Sequence, residues 1–195
     1  MLDEFTGKPG LRFLEVGSFE GRSAVWTLQN ILTSTSSSLV CVDTFEGGDD
    51  LADLDLSRLQ QTFKDNVAPF RSRVRLIVGQ SGAVLRRLAG PFDFIYIDGS
   101  HVAQDALEDA VLAWRLLRSG GIMAFDDYVW CGPPDPRLSP RIAIDAFIAT
   151  RRPGSFKVLS EGIQLFVRKL DADGEDQTAP GFWQRLQRWL QERTP

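Results

Sequence analysis

Histidine is almost missing from this chain: His101 is the only one in 195 residues. Cysteine is scarce as well, and Cys41 and Cys131 lie far apart. Neither zinc-ligand spacing nor a disulfide framework can be built from so few, which fits a reducing compartment. Long hydrophobic runs are also lacking. No apolar stretch approaches the roughly 20 residues of a membrane-spanning helix, and the opening residues lack the zones of a secretory signal. There is no excess of positive charge: 22 Lys and Arg stand against 26 Asp and Glu, for a net charge of −4. Arg71, Arg73, Arg75, Arg86 and Arg87 therefore read as a solvated surface, not as a field that collects nucleic acid or anionic lipid. The expectation is a cytoplasmic protein with no membrane span, no nucleic-acid partner and a small-molecule substrate.

What is present is a globular composition, with 43% apolar and 25% charged residues in a length suited to one domain. Short apolar runs alternate with helical periodicity. Strands are expected at Leu11–Val16, Leu39–Val42, Val74–Val78, Phe92–Ile97 and Ile122–Phe125. Two more are expected around Phe156–Leu159 and Ile163–Val167. Helices are expected from Ala24 to Leu32, at Leu56–Val67, at Ala83–Leu88, from Ala103 to Leu117 with a stop at Gly120-Gly121, and at Ile142–Ala149 after a proline-rich loop. Such alternation builds an α/β fold, a parallel sheet with helices on both faces, and ligands bind beyond the carboxyl ends of its strands. The domain should cover 1–169. The remainder, 170–195, reads as an acidic linker and a short amphipathic helix carrying Phe182, Trp183, Leu186, Trp189 and Leu190. That helix would dock on its own domain or on a second copy or partner.

The segment between the first strand and first helix carries Glu15, Gly17, Ser18, Phe19, Gly21 and Ser23. A dinucleotide site would show G-x-G-x-x-G, so that pyrophosphate could lie against the helix N-terminus. Here Phe19 takes the place of the second glycine, and Glu15 would repel a pyrophosphate. A ligand without phosphate and with positive charge fits better, and S-adenosylmethionine has both an ammonium and a sulfonium. Asp43 ends the second strand, where a carboxylate can accept ribose hydroxyls, and Thr44 adjoins it. Gln80 and Ser81 follow the third strand, where an adenine edge would lie.

Asp98 ends the fourth strand, and Asp126-Asp127 end the fifth. Three carboxylates meeting at adjacent strand ends repel one another unless a cation intervenes. Magnesium prefers such ligands, and an acceptor hydroxyl replacing one of its waters would lose its proton more easily. Asp98 and Asp126 would otherwise cap helices or hold the cofactor without metal. His101, three residues beyond Asp98, is a candidate base for the acceptor proton; its alternatives are packing on adenine or capping the helix.

The stretch from Phe92 through Asp98 and His101, followed by the long helix and by Leu117 through Gly120, Gly121, Asp126, Asp127 and Tyr128, resembles the class I S-adenosylmethionine-dependent methyltransferases. The likeness covers about Leu11 to Val167. It is nearest to the family that pools small O-methyltransferases with cephalosporin-hydroxylase-like proteins. It implies a Rossmann-like, doubly wound sheet of seven strands, mostly parallel with the last antiparallel. It also implies a methionine site at Glu15 to Ser23, a ribose acid at Asp43, an adenine contact at Ser81, and magnesium on Asp98, Asp126 and Asp127. Metal-dependent relatives place a catalytic lysine where this chain has His101, so the base differs. Only ten residues precede the first strand, whereas relatives often carry covering helices there. Cover should come from Glu46–Leu56, from Val129–Pro140 with Trp130, or from a neighbouring subunit in a homodimer. The rival readings are a metal-independent N- or carboxyl-methyltransferase and a non-catalytic cofactor-binding assembly protein. An Asn/Asp-Pro-Pro-Tyr/Phe motif for base amines does not follow the fourth strand.

Overall fold

The computed structural model describes residues 1–48, 55–130 and 135–170. Apart from Leu170, the expected linker and amphipathic helix lie outside the described residues, as do Cys131 and parts of both candidate covering loops. Seven strands form one sheet: β1 (Arg12–Val16), β2 (Ser38–Asp43), β3 (Val74–Val78), β4 (Phe92–Ile97), β5 (Leu117–Phe125), β6 (Phe156–Glu161) and β7 (Leu165–Lys169). Their order is β3-β2-β1-β4-β5-β7-β6. The neighbouring pairs among β1–β5 are parallel, and β7 runs against both β5 and β6. Chain order reverses direction between β1 and β4, and that switch point opens a crevice at the carboxyl ends of both strands.

Alternation within each strand feeds two cores. Phe13, Cys41, Phe94, Ala124 and Phe166 point to one face, covered by α1 (Arg22–Asn30) and α2 (Leu59–Val67). Leu14, Val40, Ile95, Met123 and Val167 point to the other, covered by α3 (Ser81–Leu85), α4 (Ala103–Leu116) and α5 (Pro140–Ala149). A 3-10 turn at Leu2–Phe5 seats Phe5 edge-on against Phe13, 5.3 Å between ring centres.

Several boundaries differ from expectation. Gly120-Gly121 do not stop α4. The chain turns extended at Leu117 and passes directly into β5, which contains both glycines. The helix ends without a glycine cap because Lys169 of β7 donates to the carbonyls of Trp114 (2.9 Å) and Leu117 (2.7 Å). Gly121 serves packing instead: a Cβ there would sit 2.9 Å from the Asp93 carbonyl oxygen on β4. Helix α2 starts at Leu59 rather than Leu56, α3 occupies Ser81–Leu85 rather than Ala83–Leu88, and α5 begins at Pro140, whose fixed φ suits the first helical turn.

Candidate active site

At the end of β1 the chain makes the close approach that only glycine permits. Gly17 has φ +82°, and a Cβ on it would lie 1.8 Å from the Asp98 carbonyl oxygen. Its N–H donates to the Val42 carbonyl at 2.9 Å. The loop that follows is held by Asp43. One carboxylate oxygen accepts the N–H groups of Ser18 (2.6 Å) and Phe19 (2.8 Å), and the other accepts that of Phe45 (2.7 Å). A carboxylate offers about four lone-pair sites, so roughly one is left for a ribose hydroxyl. Phe19 keeps the left-handed backbone of the glycine it replaces, with φ +46°. Phe45 (φ +59°) and Asp127 (φ +54°) share that conformation. All three lie just beyond the carboxyl ends of parallel strands, β1, β2 and β5. The Thr44 hydroxyl accepts the Glu46 N–H at 3.2 Å.

Glu15 lies in a cross-strand row between Cys41 and Tyr96 and is 2% exposed. Among the described residues its buried Oε1 has no hydrogen-bond partner. Burial pushes the Glu15 carboxyl up to about 7; Ser18 and Ser23 hold it back, and Asp43 adds repulsion. A buried carboxylate with an orphaned oxygen fits a cationic ligand group.

Asp98, Asp126 and Asp127 each offer an oxygen within 4.8 Å of the others. Burial first, then the charges of Asp126, Asp127 and Glu15, raise Asp98 to about 8. Such an all-oxygen, mutually repelling set fits a hard divalent cation. The surrounding side chains orient it. The Tyr96 hydroxyl donates to Asp126 at 2.6 Å, and the Gln164 amide donates to that hydroxyl at 3.1 Å. Burial, then Asp98 and Asp126, push the Tyr96 phenol well up, so it stays a donor. His101 turns Nε2 to Asp127 at 2.8 Å, and its ring lies 4.5 Å from that of Trp130. The predicted base is thus joined to one of the predicted metal acids.

Gln80 and Ser81 line a cavity of about 380 Å³ between α3 and α4, with Ser100, Asp105 and Asp109. Asp109 is not marked out by the sequence pattern. It is 2% exposed, its Oδ1 has no partner among the described residues, and burial raises it to about 6 against the opposing hydrogen bond from Ser81. Its signal was a charge set three residues after Ala106 and one before Ala110, on the buried stripe of α4. Tyr96 and Gln164 were also missed: nothing in the strand pattern tells which neighbours a half-buried polar residue will meet.

A sheet of this order, with a glycine turn and strand-end acids at its switch point, is the Rossmann-like fold shared by class I methyltransferases. The chain belongs to the methyltransferase-domain family, whose model matches residues 14–128. It is 27% identical over 159 residues to an uncharacterized protein of Acanthamoeba polyphaga mimivirus, covering 76% of this chain. It is 29% identical over 116 residues to an O-methyltransferase of Aspergillus hancockii, covering 60% of this chain. The chain spans 64% and 42% of the lengths of these two relatives. Among solved structures, an O-methyltransferase from Bacillus cereus in complex with S-adenosylhomocysteine aligns at TM-score 0.57 with 24% identity, over 81% of this chain and 74% of that one. An rRNA methylase from Streptococcus thermophilus aligns at TM-score 0.61 with 11% identity, over 87% and 92%. No helix among the described residues is long and apolar enough to cross a membrane.

Proposed function

We propose that this protein transfers a methyl group from S-adenosylmethionine to an oxygen of a small-molecule acceptor, assisted by a divalent cation such as magnesium. The observation that carries the reading is the convergence of the Asp98, Asp126 and Asp127 oxygens within 4.8 Å at the switch-point crevice. The buried, partly unsatisfied Glu15 on the adjacent strand supports it.

Glu15 and Ser18 would receive the methionine ammonium, with Gly17, Phe19, Gly21 and Ser23 shaping that end of the site. Asp43 and Thr44 would meet the ribose, and Gln80 and Ser81 the adenine edge. Asp98, Asp126 and Asp127 would hold the cation. When bound, the cofactor supplies an electrophilic methyl on a sulfonium, and the cation supplies positive charge that makes an acceptor hydroxyl more acidic. The chain's own work is alignment: two rigid strand ends fix donor and acceptor sides of one crevice, which accounts for much of the rate gain in direct displacement. His101 holds Asp127 in place, and the acceptor proton passes to the His101 imidazole or to water. Trp130, its ring tilted 39° to that of His101 at 4.5 Å, would cover the acceptor. The fold is shared with an rRNA methylase and so does not choose the acceptor. The net charge of −4 favours a small one over RNA.

The test is calorimetric titration with S-adenosylhomocysteine, with magnesium and then with chelator, followed by labelled methyl transfer to a panel of hydroxyl compounds. Cofactor binding in both conditions, with transfer lost on chelation and in Asp126→Ala, is expected. Absence of cofactor binding overturns the activity, and full transfer under chelation removes the metal.

A further inference from the structure

The antiparallel hairpin of β6 and β7 stands at the far edge of the sheet, yet one of its side chains reaches the carboxylate cluster. Gln164 lies just before β7 and is half-buried. Its Nε2 donates to the Tyr96 hydroxyl at 3.1 Å, and that hydroxyl donates to Asp126 at 2.6 Å. The sheet makes this possible. Tyr96 pairs with Ala124, and Ala124 with Phe166, so β4, β5 and β7 lie side by side at this level. With period-two alternation, Asp126 falls on the same face as Ala124 and Tyr96.

A phenol has one proton to give. Here it goes to Asp126, and the amide proton from Gln164 occupies a lone pair on the phenol oxygen, which leaves the hydroxyl little freedom to rotate away. Chained hydrogen bonds of this kind also polarise one another, strengthening the last bond. Asp127 has its own hydrogen-bond partner in His101, at 2.8 Å.

We propose that Gln164 and Tyr96 form a relay that fixes the Asp126 carboxylate for cation binding, making Gln164 a remote positioning residue of the site. The proposal rests on reading the three acids as a cation site. It predicts a role for the phenol proton that aromatic packing alone does not: Tyr96→Phe keeps the ring and loses the relay.

The experiment titrates manganese into the protein by calorimetry in the presence of S-adenosylhomocysteine. It compares the wild type with Tyr96→Phe, Gln164→Ala, the double variant and Asp126→Ala. Removing an orienting hydrogen bond from a metal ligand typically costs about 10- to 100-fold in affinity. Tyr96→Phe should lose that much, Gln164→Ala less, and the double variant no more than Tyr96→Phe alone, because both act through one hydroxyl. S-adenosylhomocysteine affinity without metal should be unchanged in all three, which also shows that they fold. Manganese binding by Tyr96→Phe equal to wild type, with Asp126→Ala abolishing it, overturns the relay and leaves the cation site standing. Additive losses in the double variant also overturn it. No manganese binding by the wild type removes the cation site, and the relay's purpose with it.

Discussion

Asp43 accepts the backbone N–H of Phe19 at 2.8 Å, so a carboxylate at the end of β2 holds a left-handed phenylalanine in the loop after β1. The same side chain takes the N–H groups of Ser18 and Phe45. Its place in the fold is therefore structural before any ligand arrives. Asp43→Ala leaves three backbone donors to find water, and bonds to a charged acceptor are worth about 1.5–3 kcal/mol each. Water reaches the exposed Phe19 N–H most easily, so the net loss should be on the order of 3 kcal/mol in urea unfolding, with S-adenosylhomocysteine binding lost. If Asp43 served only the ribose, stability would not change.

Phe19 invites the opposite experiment. The residue is 39% exposed, more than most large apolar residues of this chain, while its φ of +46° is one a glycine adopts freely. Phe19→Gly should stabilise the ligand-free protein by up to about 1 kcal/mol, since left-handed backbone costs other residues roughly 1–2 kcal/mol and glycine gives part of that back in chain entropy. For a chain of this size that is a rise of about 2–4 °C in Tm. A drop in Tm would mean that the contacts of the partly covered ring outweigh the backbone strain it imposes.

Gly17→Ala should be severe. The new Cβ would stand 1.8 Å from the Asp98 carbonyl oxygen and 2.8 Å from the Gly99 Cα, and both are backbone atoms that cannot swing aside. Either β1 and β4 part at the switch point or the loop refolds. A loss of about 3 kcal/mol or more is expected by denaturant unfolding, at the upper end for overpacking, together with loss of cofactor binding. A folded, cofactor-binding variant would mean that the crevice is far more pliable than the sheet register implies.

These three sites show why some of the molecule is legible in sequence and some is not. The strand from Phe92 to Ile97 can be read outright, because a central parallel strand buries both faces and writes a short apolar run between turn residues; the edge strand from Val74 to Val78 is as legible from its apolar run, although no residue of it is fully buried. The convergence of Gly17, Asp43, Asp98 and Asp126 follows from strand ends alone. The end of α4 does not, because Lys169, more than fifty residues later, supplies the cap that Gly120 was expected to provide. Asp109 and Gln164 are illegible for the same reason: their roles depend on partners brought close by the fold and not by the chain. Asp43 shows a subtler limit, since its position is readable while its three backbone donors are not.

Glu15 yields a dependence on pH. Its carboxyl is raised from 4.5 to about 7, chiefly by burial, so the folded state binds its proton more tightly than the unfolded chain does. The associated stability is fully present below about pH 4.5 and is lost as pH rises through 7. Ligand-free protein should therefore lose stability between pH 5 and 8, by an amount on the order of a few kcal/mol from this group. Asp98, raised to about 8, works in the same direction and extends the loss upward. Glu15→Gln cannot ionise, so it should flatten the lower part of this slope and leave the variant more stable than wild type at pH 8. It should also bind S-adenosylhomocysteine more weakly, because the group that meets the ammonium has lost its charge. Thermal unfolding from pH 5 to 8, paired with calorimetric binding at pH 8, separates the two effects. A steeper slope in the variant would mean that burial does not raise the Glu15 carboxyl, and unchanged binding with a flattened slope would assign Glu15 to the core and not to the ligand.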